Sequence, residues 1–387
     1  MASVIKAGNA TTGVQVTADA TGILEIRTGT GAGTTAITVG TNQAVTMAGA
    51  VSSSSLTVNS NNISAVNSLG FRNRIINGDM RIDQRNNGAS VTITSTSAVT
   101  YTLDRWAAYG SNASRFSVQR NAGSVTPPAG YTNYLGATSL SAYSITSTDE
   151  FLLVQSIEGF NTADLAWGTA SAQTVTLSFW VRSSLTGTFG GAARNSDASR
   201  SYPFSYVISS ANTWEQKTVV IAGDTTGTWN STNGKGIELV FGLGVGSTKS
   251  GTAGAWAGSN FVSATGATSV VGTNGATFYI TGVQLEAGSV ATPFERRDYG
   301  RELILCQRYY EIGGATSYNN QASSVLGVPY KVTKRATPTW TALGNFYAGA
   351  EATGRAFGGG GTSATQAFYI ESTSSYAGAV WAATAEL

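Results

Sequence analysis

The residues that could do chemistry in this chain are defined first by what is missing. There is no histidine among the 387 residues. That removes Ser-His-Asp catalysis, imidazole-ligated metal and imidazole acid–base chemistry together. Carboxylates are few. Asp149 and Glu150 are adjacent, and neighbours on a strand point to opposite faces. A glycosidase needs two carboxylates about 5–10 Å apart across a cleft. Glu150, Glu158, Asp164, Glu215 and Asp224 could meet that need only through an arrangement of distant strands.

Sugar binding without catalysis asks for less. An aromatic face stacks on the C–H face of a sugar, and Asn, Asp, Gln or Arg bond its hydroxyls. The informative aromatics are those set among small residues. Trp229 in TGTWNSTNGKG and Trp256 in GTAGAWAGSNF fit, as do Tyr131 and Tyr134 in PPAGYTNYLG, with Trp381 weaker. These are the candidate glycan contacts. Trp106, Trp180 and Trp214 read as structural, and Trp180 lies in the alternating run TVTLSFWVR. The single cysteine, Cys306, reads as a small buried hydrophobe and permits no intrachain disulfide. The glycine run Gly358–Gly361 has no following helix or lysine, so it reads as a turn or loop and not as a phosphate cradle.

Composition narrows the elements that must position these groups. Only 11% of residues are charged and the formal net charge is +2, too little for a nucleic-acid footprint. Small turn-formers, β-branched residues and aromatics together predict an all-β chain. The N-terminus has no apolar run of signal-peptide length, and no stretch approaches the roughly 20 apolar residues of a membrane span. The expectation is synthesis in the cytoplasm without export.

All aromatics lie in 71–387, and residues 1–70 have none. That segment carries short runs, Val14–Val16, Ile23–Ile26, Ala36–Val39 and Leu56–Val58, between Gly, Thr, Ser and Asn clusters. Seventy such residues cannot build a core alone. They read as an attachment or shaft segment whose strands pack between chains, with a flexible linker as the alternative. Residues 71–295 read as one jelly-roll β-sandwich. Its predicted strands are 90–95, 115–120, 151–157, 174–182, 202–208, 215–221, 236–244 and 276–283, with Val175, Leu177, Phe179 and Val181 facing Ile237, Leu239, Phe241 and Leu243. Strands near Ile75 and Ile280 must lie together in that topology. Residues 296–312 read as a linking helix with Tyr299, Leu303, Cys306 and Tyr310 on one stripe, acting as a hinge, its flanking Arg296 and Arg297 paired with Glu295, Asp298 or Glu302. Residues 313–387 read as a C-terminal β domain with strands at 324–331, 339–343, 367–371 and 379–383.

The motifs FRNRIINGDMRIDQRNNG (71–88), YTLDRW (101–106), GVQLEAGSVATPFERRDYGRELILCQRYYE (282–311) and VPYKVTKRATPTW (328–340) resemble, in this order, those of bacteriophage tail-fibre-like virion proteins. Asn77–Met80 with Trp106 also resembles the first strand of jelly-roll carbohydrate-binding modules. Calcium-bearing members of that group place acids where this chain has Arg81, Thr281 and Gly282, so neither metal nor other cofactor is expected, although Asp79 and Asp83 remain nearby. The resemblance implies a virion fibre, a homotrimer that meets other virion proteins through residues 1–70 and recognises a host surface polysaccharide without cutting it. The alternatives are a capsid decoration, head-fibre or collar protein without a ligand, and a glycan depolymerase.

Overall fold

The computed structural model describes residues 24–28, 34–39, 45–47, 71–318, 324–344, 357–358, 368–372 and 376–387. Two compact units result, Met1–Val66 and Asn67–Leu387. In the first, the strands Leu24–Thr28, Thr34–Val39 and Val45–Met47 form an antiparallel meander. The runs Val14–Val16 and Leu56–Val58 lie outside the described residues.

The second unit is the predicted all-β sandwich. One sheet has the strand order Glu215–Ile221, Val175–Ser183, Thr277–Ala287, Leu135–Ser139, Phe116–Arg120, Val91–Thr92. The other has Ser201–Ile208, Gly187–Arg194, Lys235–Val245, Glu150–Glu158, Trp106–Gly110, Thr100–Leu103. Period-two alternation sets the inner faces. Val175, Leu177, Phe179 and Val181 face the core with Ile237, Leu239, Phe241 and Leu243, all buried. Phe179 and Phe241 meet edge-to-face across the sheets at 5.2 Å. Four strands escape the alternation pattern: Leu135–Ser139, Gly187–Arg194, Thr100–Leu103 and Trp106–Gly110. The second reads GTFGGAAR, and its glycines make room. A Cβ at Gly190 would stand 2.3 Å from the Ser263 hydroxyl, and one at Gly191 2.2 Å from the Val240 carbonyl.

The extended segment before the first strand lies beside Thr277–Ala287, as expected for Ile75 and Ile280. Arg74 N–H donates to the Leu285 carbonyl at 2.8 Å, and Val283 N–H to that of Gly78 at 2.9 Å.

The linking helix is shorter than 296–312. It spans Tyr299–Gln307, with the Asp298 side chain capping it by accepting from Arg301 N–H at 2.8 Å. Cys306 is buried as expected and Leu303 packs beside it, but Tyr299 is exposed and Tyr310 opens the next strand. Two C-terminal sheets follow, both within the same compact unit as the sandwich. Tyr310–Tyr318, Tyr376–Thr384 and Thr339–Gly344 form one, with the chain's last strand in the middle. Ser324–Val328, Phe368–Ser372 and Phe357–Gly358 form the other. Gly358 ends that last strand, while 359–361 lie outside the described residues.

Where a hinge was expected, charged side chains clamp the parts together. Arg297 pairs with Glu302 at 3.4 Å and Glu295 at 3.6 Å, and donates to the carbonyls of Asn73 and Ile75. Glu302 accepts from Asn77 N–H. Glu158, in the sandwich, accepts from both Arg308 nitrogens at 2.6 and 2.9 Å and from the Tyr309 hydroxyl at 2.5 Å. The chain end closes the clamp. Glu386 pairs with Arg85 at 2.6 Å and with Arg105, a guanidinium 1% exposed that lies 3.6 Å from the Tyr309 ring centre. Lys334 pairs with Glu311, both side chains fully buried.

Breaking a buried pair by neutralising one member leaves the other charge stranded. Glu386→Gln is expected to cost about 3–5 kcal/mol in chemical denaturation, with Arg105 as the stranded group. An unchanged midpoint would show that the chain end does not clamp the sandwich.

Candidate functional site

Alternation decides what the second sheet shows on its outer face. Its inner residues are Trp106, Phe151, Leu153, Phe241 and their neighbours, so Ala107, Tyr109, Glu150, Leu152, Val154, Glu238, Val240, Ala192 and Arg194 point the other way. Register places them in rows. Leu152 stands between Tyr109 and Gly242, Val154 between Ala107 and Val240, and Arg194 opposite Glu238. Leu152 and Val154 line the floor and rest on the buried cluster of Ala107, Val240 and Val262. Gly242 adds no side chain to it. Above the floor is an open groove of about 310 Å³, walled by Ser97–Val99, Tyr109, Ala198 and Asn260. That volume is at the lower end of ligand sites.

The polar groups in the groove are held rigidly. Arg194 pairs with Glu238 and donates to Asn260 Oδ1 at 2.6 Å. Lys235 pairs with Glu238 at 2.5 Å, and Lys249 with Glu150 at 2.7 Å. The Tyr109 hydroxyl donates to the Thr96 carbonyl at 3.2 Å. Burial pushes the Glu238 carboxyl up, but Arg194 and Lys235 outweigh it and hold the group below the usual range. Glu238 is therefore an ionised acceptor and a poor proton donor. The groove offers a narrow apolar strip, one aromatic wall, and fixed acceptors and donors around them.

The other candidate carboxylates are dispersed. Glu158 serves the clamp, Asp164 pairs with Arg74, Asp224 with Arg200 and Glu215 with Lys217. Asp149 is buried, accepting from Ser111, Asn112, Tyr143 and Thr146. Burial raises the Asp104 carboxyl to about 6, and it faces Gln84 rather than a cleft. Asp79 is committed to Arg81 at 2.5 Å, and Asp83 accepts from Asn86 and Gly88 N–H. Among the described residues no group of three or more Cys, Asp or Glu could hold a metal ion.

The four predicted glycan contacts do not converge. Trp229 and Trp256 are half-buried and meet Trp167 in a mutual edge-to-face triad with centres 4.8, 5.3 and 5.4 Å apart. Each indole N–H is spent on a backbone carbonyl, Trp229 on Thr226 at 3.2 Å and Trp256 on Ala222 at 2.7 Å. Both rings pack on the main core, and the cavity beside Trp229 is about 30 Å³, room for a water or two and not for a sugar. Glycine, threonine and serine neighbours in sequence gave no sign of this triad, because Trp167 lies 62 residues before Trp229. Tyr134 is a correction. It is fully buried, with its hydroxyl bonded to Ala122 and Val125 and its ring between Trp214 and Tyr279. Tyr131 is half-exposed on the outer face of the first sheet, as is Trp180, which is therefore not in the core. Trp106 is buried, as expected, and Trp381 is buried in the C-terminal sheet.

No family model and no curated protein matches this sequence. Among solved structures the chain is similar to the enzymatically active domain of bacteriophage CBA120 tailspike protein 4, at 13% identity and TM-score 0.29, over 54% of this chain and 22% of that one. It spans about a fifth of that tailspike chain. It is also similar to a putative sugar binding protein from Bacteroides thetaiotaomicron, at 14% identity and TM-score 0.34, over 56% of this chain and 100% of that one. A third is the family 11 carbohydrate-binding module of a Clostridium thermocellum cellulase, at 10% identity and TM-score 0.26, over 53% and 98%.

Ring surroundings set the stability expectation. Trp256→Ala should cost about 3 kcal/mol, because it removes one wall of a packed triad. Trp180→Ala, on a solvated face, should cost clearly less. Denaturation curves of the two variants decide it, and the reverse order would overturn this placement.

Proposed function

We propose that this chain is a fibre protein of a bacteriophage particle that binds a host surface glycan through the groove on its second sheet and does not cleave it. The observation that carries this reading is the groove itself: the Leu152–Val154 strip and the Tyr109 ring beside pre-paired Arg194, Glu238, Glu150 and Asn260. Sugars need an apolar bed and fixed hydroxyl partners, and ion pairs already made cost no further ordering when a ligand arrives. A cutting enzyme needs a carboxylic acid that holds its proton at neutral pH. Glu238 is held the other way, which favours binding over a depolymerase. The tail-fibre-like motifs support the virion setting, and the aromatic-free first seventy residues support a shaft shared by a homotrimer.

A second reading has its own observation. Both groove carboxylates are already satisfied by partners within the chain, as they would be in a capsid decoration, head-fibre or collar protein with no ligand.

Two measurements separate these. Tyr109→Ala is expected to lower adsorption of the full-length protein to host cells at least tenfold while leaving the melting curve in place. Adsorption equal to that of the unaltered protein would remove the groove as the receptor site, and no adsorption by either would favour the ligand-free reading.

Light scattering of the full chain should give three times its 39.8 kDa mass, and a start at Phe71 should give a single copy. A full-length monomer at micromolar concentration would end the shared-shaft idea.

A further inference from the structure

The opposite face of the sandwich carries a feature the groove does not use. On the strand Val175–Ser183, Phe179 and Val181 point into the core, so Trp180 and Arg182 point outward, roughly 7 Å apart along the strand. The register pairs Arg182 with Tyr279 and Trp180 with Thr281, and then breaks between Ser178 and Trp180 in a bulge. Gly282 lies in that bulge with φ 61°. A Cβ there would meet the Tyr131 hydroxyl at 2.6 Å, so the glycine lets Tyr131 lie directly on the strand. Trp180 pairs across the sheet with Thr281, the residue next to Gly282, which puts its indole on the same face as Tyr131. Beyond Tyr131 stands Phe294, edge-to-face at 5.5 Å, and the exposed guanidinium of Arg296 lies 4.7 Å from the Tyr131 ring centre. The result is a continuous stripe, Arg182–Trp180–Tyr131–Arg296, with half-exposed rings in the middle and a cation at each end.

Most arginines of this unit are ion-paired, although Arg115 and Arg335, which meet a ring and carbonyls, are not. Arg72, Arg74, Arg81, Arg85, Arg105 and Arg120 all pair with carboxylates. Neither Arg182 nor Arg296 has one among the described residues. Arg182 donates from its Nε to the Asn212 carbonyl at 3.0 Å, and Arg296 only stacks on Tyr131 and Phe294. The acids nearest them already have partners: Asp79, which also feels Arg296, pairs with Arg81, and Glu215 pairs with Lys217. Two guanidiniums without an ion-pair partner among the described residues, flanking stacked rings, fit a ligand that is flat and apolar on one side and anionic at its edge.

We propose that this stripe is a second ligand site, for a glycan bearing uronic acid residues. The rings receive the sugar faces and each arginine receives a carboxylate. It shares a ligand class with the groove and no residue.

The test is calorimetric binding of the full-length protein to tetragalacturonate and to its methyl ester. The acid should bind at least tenfold more tightly than the ester. Arg296→Gln and Arg182→Gln should each remove most of that preference without moving the melting midpoint, Arg296→Lys should keep part of it, and Tyr131→Ala should weaken both ligands. Tyr109→Ala should leave acid binding intact, so the two sites fail separately. No binding of the acid at millimolar concentration, equal affinity for acid and ester, or a preference that survives Arg296→Gln overturns the proposal. A preference lost only in Tyr109→Ala moves the acid to the groove and overturns it as well.

Discussion

The structure depends on one buried cation. Arg105 sits at a left-handed turn between two strands of the second sheet, with φ 67°, and its guanidinium is almost wholly excluded from water. A charge so placed must be paired. Its partner, Glu386, comes from the last residues of the chain, and the Ser156 carbonyl and the Tyr309 ring complete the surroundings. Burying Arg105 therefore requires that the C-terminal strand return to the sandwich. The same return places Arg335 on the carbonyls of Ala385 and Glu386, and Tyr101 on that of Leu387. The motifs that carry the virion resemblance, NGDM, LDRW and the helix with its flanks, turn out to be largely this clamp. Asn77 bonds the Ile82 and Asp104 carbonyls, and Trp106 donates to the Asn77 carbonyl.

A rigid joint has a functional consequence. In the proposed fibre role, such a joint would carry load from a host surface to the particle. A clamp made of buried ion pairs resists bending because every partial separation strands a charge. The groove and the Tyr131 stripe lie on the two outer sheet faces, where strand register sets the rows and flanking loops supply Asn260, Tyr131, Phe294 and Arg296. The groove is polar and self-paired, whereas the Tyr131 stripe is aromatic and carries cations without an ion-pair partner among the described residues.

Much of the fold was legible from alternation. The runs TVTLSFWVR and IELVFGL announced two strands with defined inner faces, because burial selects every second residue and leaves that pattern in the sequence. The glycine-rich strand Gly187–Arg194 was not legible, since its small residues answer to a neighbouring strand and to the Ser263 loop rather than to a buried face. The helix existed where its apolar spacing put it, but Tyr310 was drawn into a strand by pairing with Thr384 at the far end of the chain.

The candidate site shows the same division more sharply. Loop composition suggested Trp229 and Trp256 as exposed rings, yet both lean on Trp167, and only chain folding brings that third indole to them. Tyr131 and Tyr134 are three residues apart and indistinguishable by surroundings, but one lies on a bulge facing solvent and the other is sealed beneath Trp214. By itself the sequence determined the all-β class, the inner faces of the long strands, the absence of imidazole chemistry and the scarcity of charge. Tertiary structure alone decided which outer residues share a row. Alternation tells a residue its face but not its neighbour across the sheet, and Arg194, Glu238, Leu152 and Tyr109 become one groove only through pairings between strands far apart in the chain.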